Sequence, residues 1–315
     1  MQSSSIHPPR LVVILATGGT IAGTAASSTD TVGYRSAQLG VDELLAAIPA
    51  LQGRPLEAEQ VAQIDSKDMD PAVWCALAAR VAVHLARPEV AGIVVTHGTD
   101  TLEETAWLLQ RVFAPAKPVV LTAAMRPATA LQADGPQNLL DAVAVASTPG
   151  AQGVLAVLAG CVHGGLDVRK THTYRLDAFG SGDAGPLAAI EAGRLRRFRD
   201  WPRGESLGAA RLDAATWPRV EILTSHAGAG GALVEALVAQ GVDGIVVAGT
   251  GNGTLHQALE AALLRAAAQG VAVRRVSRVS GGVVQRPEGD ALPVSPAPTP
   301  QQARVELILE LLGAG

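Results

Sequence analysis

Threonines and glycines crowd two places in this 315-residue chain, and each place follows a short apolar run. Leu11 to Ala16 leads into Thr17, Gly18, Gly19, Thr20, Ile21, Ala22 and Gly23; Ile93 to Val95 leads into Thr96, His97, Gly98, Thr99, Asp100 and Thr101. Glycines let a backbone approach a ligand closely and aim N–H groups at it, which suits an anion or a developing oxyanion. A threonine after such a turn is a candidate nucleophile toward a carbonyl carbon. Its hydroxyl is almost wholly protonated at neutral pH, so a base must take the proton, an effect worth roughly 10²- to 10⁴-fold in rate. The residues alone leave a plainer reading open, a tight turn whose hydroxyl caps a helix.

Other chemistries find less support. Gly204 to Gly208 fits the spelling of a G-x-S-x-G nucleophile elbow, but that elbow needs a strand before it and a helix after it, and this copy lies among arginines and prolines. Gly249, Gly251 and Gly253 miss the glycine spacing of a dinucleotide fingerprint, and no Gly-Lys-Ser/Thr phosphate loop occurs. The histidines form no H-E-x-x-H pair, and Asp65, Asp68 and Asp70 lack the glycine and terminal glutamate of a calcium loop. The expectation is an enzyme without cofactor or metal.

The two turns need a frame that brings them together. Short apolar runs at Leu11 to Ala16, Val61 to Ile64, Gly92 to Thr96, Pro118 to Thr122 and Gly153 to Leu158 read as buried strands. Between them, Val73, Trp74, Leu77, Val81 and Leu85 keep helical spacing after an Asp70 cap and Pro71. Thr101 and Glu104 spell a capping box ahead of Leu102, Ala106, Leu109 and Phe113. Strand alternating with helix predicts a mostly parallel sheet covered on both faces, and ligands bind where the carboxyl ends of such strands share an edge. From Ala188 to Pro218 the pattern breaks amid arginines and prolines. A second alternating unit follows, with strands near Val220 to Thr224, Gly244 to Ala248 and Val271 to Val276, and helices at Gly231 to Gln240, Leu255 to Gln269 and Thr299 to Leu312. The expected architecture is α/β in two domains: a larger N-terminal one over 1–190 carrying the threonines, a linker over 191–218, and a smaller C-terminal one over 219–315.

Composition narrows the partners. With 48% hydrophobic and 17% charged residues the chain can bury a core and is not disordered. Its 25 Lys and Arg against 29 Asp and Glu give a net charge of -4, which offers no general attraction to nucleic acid or anionic membrane. Cys75 and Cys161 sit in apolar stretches and imply no disulfide framework. Arg10 with Leu11 to Ala16 could pass for a weak leader, but the apolar run is too short, and no run approaches the ~18 residues that span a bilayer. A cytoplasmic protein is expected.

The two turns resemble the signatures of bacterial-type L-asparaginases, Thr17 to Gly23 (TGGTIAG) and Thr96 to Thr105 (THGTDTLEET). Ile64 to Met69 (IDSKDM), Ala124 to Pro127 (AMRP), Ala133 to Pro136 (ADGP), Asp167 to Thr171 (DVRKT) and Gly249 to Gly253 (GTGNG) continue the likeness in the family's order. The resemblance implies hydrolysis of the side-chain amide of L-asparagine to aspartate and ammonia through an acyl-enzyme, with weaker action on glutamine. It implies Thr20 as the nucleophile, Tyr34, on the mobile segment between Thr24 and Gln38, as the residue closing over it, and Thr99, Asp100 and Lys170 as a second catalytic group. Whether Tyr34 or Lys170 is the base, and which threonine attacks first, stays open at this point. N–H groups near Gly19 and Thr99 would hold the oxyanion, Ser66 would receive the α-carboxylate, and Gly98, Thr99 and Asp100 would line the substrate site.

The pattern also departs from the family. Lys67 stands where many relatives carry a substrate-contacting glutamine; a second cation there repels an α-ammonium unless it turns away or pairs with an acid such as Asp68. Thr254 stands where some members supply asparagine from a neighbouring subunit. Asn252 matches the family, and Glu288 falls near its C-terminal glutamate. The resemblance implies a homotetramer with sites shared between subunits. Two rival readings fit the motifs less well. The amidase subunit of a tRNA-dependent amidotransferase carries a domain ahead of the first signature, and ten residues precede Leu11 here; a silent amino-acid sensor would have lost Thr20, Thr99 or Lys170.

Overall fold

Leu11–Gly18 is buried at every residue but the first, which is what a strand covered on both faces requires. The structure, a computed structural model, describes residues 11–25, 27–30, 33–287 and 289–313. Contacts divide the chain into two units, parting between Ala209 and Ala210.

In the first unit the order is β1 (Leu11–Gly18), α1 (Val41–Ala46), β2 (Leu56–Ile64), α2 (Pro71–Leu85), β3 (Val90–Thr96), α3 (Leu102–Phe113), β4 (Pro118–Thr122), α4 (Gly135–Ala146), β5 (Gly153–Leu158), β6 (Cys161–Gly164), β7 (Arg169–Lys170), β8 (Phe179–Gly180), β9 (Ala188–Glu191) and β10 (Arg194–Arg197). One sheet runs β10-β9-β6-β5-β4-β3-β1-β2, while β7 and β8 pair apart from it. β2, β1, β3, β4 and β5 are parallel, and the three strands beyond β5 are antiparallel. The neighbours β1 and β3 send their chains in opposite directions, β1 to β2 and β3 to β4. That divergence is a topological switch point, and it opens a crevice between the two strand ends.

Part of the segment expected as a linker is sheet. β9 and β10 form a hairpin added antiparallel to β6, with Arg194, Arg196 and Arg197 exposed on the outermost strand. An exposed edge needs no apolar run, so its arginines hid it. Asp70 caps α2 as its position predicts, its carboxylate accepting from Val73 N–H at 2.9 Å. Thr101 stands at the N-cap of α3 without capping it: its hydroxyl donates to the Ser66 carbonyl at 2.8 Å, so the spelled capping box is not closed by that threonine. Ser206 of the G-x-S-x-G spelling lies in a loop and donates to the Val112 carbonyl, with no strand leading directly into it and no α-helix directly following.

The second unit holds a parallel sheet in the order β11 (Val220–Thr224), β12 (Gly244–Gly249), β13 (Ala272–Ser277), with α5 (Ala232–Ala239), α6 (Gln257–Ala268) and α7 (Pro300–Leu312). Ile245, Val247, Leu259, Leu263 and Val273 form its core. Among the described residues no helix is long and apolar enough to cross a membrane.

Candidate active site

At the end of β1 the chain turns through two glycines with positive φ, Gly18 at 106° and Gly19 at 84°. Both positions also lack room: a Cβ would lie 2.5 Å from the Ile64 carbonyl oxygen at Gly18 and 2.5 Å from the Gly98 Cα at Gly19. The first turn therefore rests directly on the second, an approach closed to any residue with a side chain. The Thr17 hydroxyl donates to the Thr96 carbonyl at 2.9 Å and ties the ends of β1 and β3 together.

Thr20 follows this turn, 6% exposed, with its Oγ1 2.8 Å from the Tyr34 hydroxyl. The ends of the Tyr34 segment are pinned back to the same turn. Thr24 and Arg35 exchange backbone hydrogen bonds at 2.9 Å, Ala37 N–H donates to Gly19 O at 3.0 Å, and Gln38 N–H to Ala22 O at 2.7 Å. The donors expected near Gly19 are narrowed to its neighbours. The Gly19 N–H donates to the Ile64 carbonyl at 2.9 Å, so it is committed to holding the turn against β2 and is not available to an oxyanion.

The second turn gathers Thr99, Asp100 and Lys170. The Lys170 ammonium donates to Thr99 Oγ1 at 2.9 Å and to Asp100 Oδ1 at 2.6 Å. The Lys170 side chain is 21% exposed and Asp100, its ion-pair partner, 52% exposed. A cavity of about 210 Å³ is lined by Tyr34, Thr99, Asp100, Met125, Lys170 and Tyr174 among others. Through Tyr34, then, Thr20 adjoins the cavity that the lysine and its partners line.

Ser66 lies beneath the second turn, 2% exposed. Its Oγ accepts the Asp100 N–H at 3.2 Å, which leaves its own hydrogen to be donated. A Cβ at Gly98 would lie 2.3 Å from that oxygen, so glycine there is what lets Ser66 approach. The neighbouring Lys67 points away into solvent, 61% exposed, and pairs with Asp68, which holds its ammonium above the usual lysine range.

Three features were not legible beforehand. The first is a buried chain behind the second turn: Trp74 Nε1–H donates to Thr105 Oγ1 at 2.9 Å, Thr105 Oγ1 lies 2.9 Å from His97 Nε2, and His97 Nδ1 lies 2.7 Å from the Gly98 carbonyl. A carbonyl only accepts, so Nδ1 carries the hydrogen and Nε2 accepts from Thr105. Burial pushes the His97 imidazole down to about 4, so it stays neutral and fixes the Gly98 peptide. The second is Asp134, whose carboxylate accepts from Met125 N–H at 3.0 Å and Arg126 N–H at 2.9 Å, while the Arg126 guanidinium covers the Tyr174 ring at 4.0 Å. Ala124 and Met125 of the AMRP stretch line the cavity, and Asp134 of the ADGP stretch holds the AMRP backbone in place. The third is Glu103, whose Oε2 accepts the Lys170 N–H at 3.0 Å.

Asn252 and Thr254 belong to the second unit, on the turn after β12. The Asn252 amide bonds the backbone of Gln285 in both directions, at 2.7 and 2.8 Å, and Thr254 bridges to Thr250. The buried Arg275 braces that turn from below, donating to the Gly253 carbonyl at 2.8 Å and to Glu260 at 2.9 Å. Glu288 lies outside the described residues.

Two family models match the chain, "Asparaginase, N-terminal" over residues 11–203 and "Glutaminase/Asparaginase C-terminal domain" over residues 219–313. The chain is 39% identical to an L-asparaginase 2 of Bacillus subtilis over 307 residues, covering 95% of this chain and 81% of that protein. It is 40% identical to a glutaminase-asparaginase of Pseudomonas fluorescens over 277 residues, covering 86% of this chain and 76% of that protein. A crystal structure of a probable cytoplasmic L-asparaginase from Campylobacter jejuni superposes with a TM-score of 0.90 at 37% identity, covering 96% of this chain and 95% of that one.

Proposed function

The chain belongs to the bacterial-type L-asparaginase family of amidohydrolases, and from that premise we propose that it hydrolyses the side-chain amide of L-asparagine through a Thr20 acyl-enzyme. The observation that carries this reading is the pairing of Thr20 with Tyr34 at the cavity that Thr99, Asp100 and Lys170 line. Thr20 Oγ1 would attack the amide carbon, its proton passing through the Tyr34 hydroxyl 2.8 Å away. The C–N bond then breaks, ammonia leaves with that proton, and a threonyl ester remains. Lys170, bonded to Thr99 and Asp100, would serve the second half, in which water splits the ester to aspartate.

With the Gly19 N–H committed elsewhere, the next donors along the two turns, the N–H groups of Thr20 and Thr99, would hold the oxyanion, a contribution of about 3 kcal/mol per donor in comparable sites. Ser66 would donate its hydroxyl hydrogen to the α-carboxylate, and Asp100, half open to solvent, would meet the α-ammonium. With Lys67 turned outward and paired to Asp68, the repulsion expected between it and that ammonium is relieved. We further propose a homotetramer in which Asn252 and Thr254, on their braced turn, serve the site of a neighbouring copy. A cytoplasmic location is our reading as well, in keeping with the name of the solved relative from Campylobacter jejuni.

The test is steady-state ammonia release from L-asparagine, D-asparagine and L-glutamine. The expected order places L-asparagine first in kcat/KM, with measurable but weaker turnover of L-glutamine, because one added methylene in a fitted pocket costs about 1–3 kcal/mol. Absence of ammonia from L-asparagine ends the proposal.

A further inference from the structure

The strand that carries Lys170 is short and stands outside the large sheet. β7 is two residues long and pairs with β8, Lys170 opposite Phe179. So short a ladder is a weak support for a side chain whose far end must meet two partners within hydrogen-bond tolerance. A second tether comes from the other side: the Lys170 backbone N–H donates to Glu103 Oε2 at 3.0 Å. Glu103 is the second residue of α3, and just ahead of that helix stand Thr99 and Asp100, the two groups that the Lys170 amine reaches. One helix end therefore grips the lysine twice, by its backbone through Glu103 and by its amine through Thr99 and Asp100.

We infer that Glu103 is a positioning residue, whose carboxylate seats β7 on the start of α3 and so sets the Lys170 amine against Thr99. The inference rests on the proposed part of Lys170 in the hydrolysis. The charged groups that act on Glu103 are Glu104 beside it and Arg169 and Lys170 on β7; β5, which also packs on α3, carries none. Burial is the chief influence on the carboxyl and pushes it up to about 7, against the pull of the Lys170 N–H and, more weakly, of the two cations. An ionised acceptor makes the stronger bond, so the grip tightens above that pH and slackens below it.

Glu103→Gln keeps an acceptor oxygen without the titration, and Glu103→Ala removes both. In the full chain, kcat and KM for L-asparagine are followed from about pH 5.5 to about pH 9, alongside hydrogen exchange of the Lys170 amide. The expected wild-type kcat falls on the acid side with a midpoint near 7. Glu103→Gln, neutral like the protonated acid, gives a flat profile at the wild-type's acid-side level, about threefold below wild type at pH ~8, while Glu103→Ala loses about 30-fold or more in kcat with KM little changed. Exchange of the Lys170 amide quickens about tenfold or more in the alanine variant only. Should the alanine variant fail to fold, the near-isosteric glutamine variant still decides by its pH profile. Wild-type turnover and unchanged exchange in Glu103→Ala, or a glutamine variant as impaired as the alanine one or still showing the acid limb, overturns the inference. If the wild-type chain releases no ammonia, the reading of Lys170 fails instead, and the exchange measurement still shows whether Glu103 holds β7.

Discussion

Thr20→Ala lowers ammonia release from L-asparagine by about 10³-fold or more and leaves the fold intact. The methyl of alanine fits where threonine stood, since it removes two atoms from a site that is 6% exposed and adds none. What the fold loses is the Oγ1 bond to Tyr34, a net contribution of about 0.5–1.5 kcal/mol, so the thermal midpoint falls by only a few degrees. What the proposed reaction loses is the atom that attacks. Thr20→Ser restores a hydroxyl without the methyl that holds its rotamer, and an intermediate rate is expected. Near-normal turnover by a purified Thr20→Ala protein would exclude Thr20 as the nucleophile and with it the acyl-enzyme proposed here.

Lys170→Met carries the second large effect. Methionine has nearly the length of the lysine stem and fills the same space, but it cannot donate to Thr99 Oγ1 or Asp100 Oδ1. The side chain is largely buried, so the loss is one of proton handling more than of surface charge. The expected fall in kcat is about 10³- to 10⁴-fold, with KM changed far less because the lysine is assigned no contact with bound substrate before the reaction begins. Groups that act as one unit are not additive. The double variant Thr20→Ala/Lys170→Met should therefore be scarcely slower than the worse single one, a result that single-turnover ammonia measurements can read. A double variant slower by the full product of the single losses would separate the two groups into independent roles.

Much of this arrangement was open to reading from residue types alone, and the limits have physical causes. Buried parallel strands leave apolar runs, which is why β1, β3, β4 and β5 stand out in the sequence. β2 lies at the sheet edge and is only partly buried, and its first residues, Leu56 to Gln60, carry two glutamates, so the apolar signal covered just its end at Val61 to Ile64. The arginine hairpin of β9 and β10 is the same case at the opposite edge. Helix α4 gave a poorer start signal still, since it opens on Gly135 and Pro136 and the carboxylate of Asp134 turns back to Met125 and Arg126.

At the site, the hydroxyls, the acid and the amine were legible because their types announce chemistry. Which N–H groups are spent was not, since the bond from Gly19 to Ile64 joins residues 45 positions apart. The same holds for the Thr101 hydroxyl, whose capping spelling is correct while its partner, the Ser66 carbonyl, lies on another element. His97 and Glu103 both sit inside the second signature, yet their tasks depend on Thr105, Trp74 and Lys170, none of which adjoins them in the chain. Spelling locates such residues; pairing across the fold assigns them.

The burial of Glu103 sets a trade-off between endurance and speed. Its carboxyl stands at about 7 in the folded chain against an ordinary 4.5, so between those values the folded form binds more protons than the unfolded one. The stability this group contributes is complete below about 4.5 and is spent as the pH climbs through 7. The buried His97 and His163, both lowered to about 4 from 6.5, impose the opposite demand and withdraw stability as the medium acidifies below 6.5. For these three groups the expected balance puts the greatest resistance to heat in weak acid and, on the role proposed for Glu103, the fastest turnover on the alkaline side of it, which thermal midpoints and kcat followed across the same pH range would check.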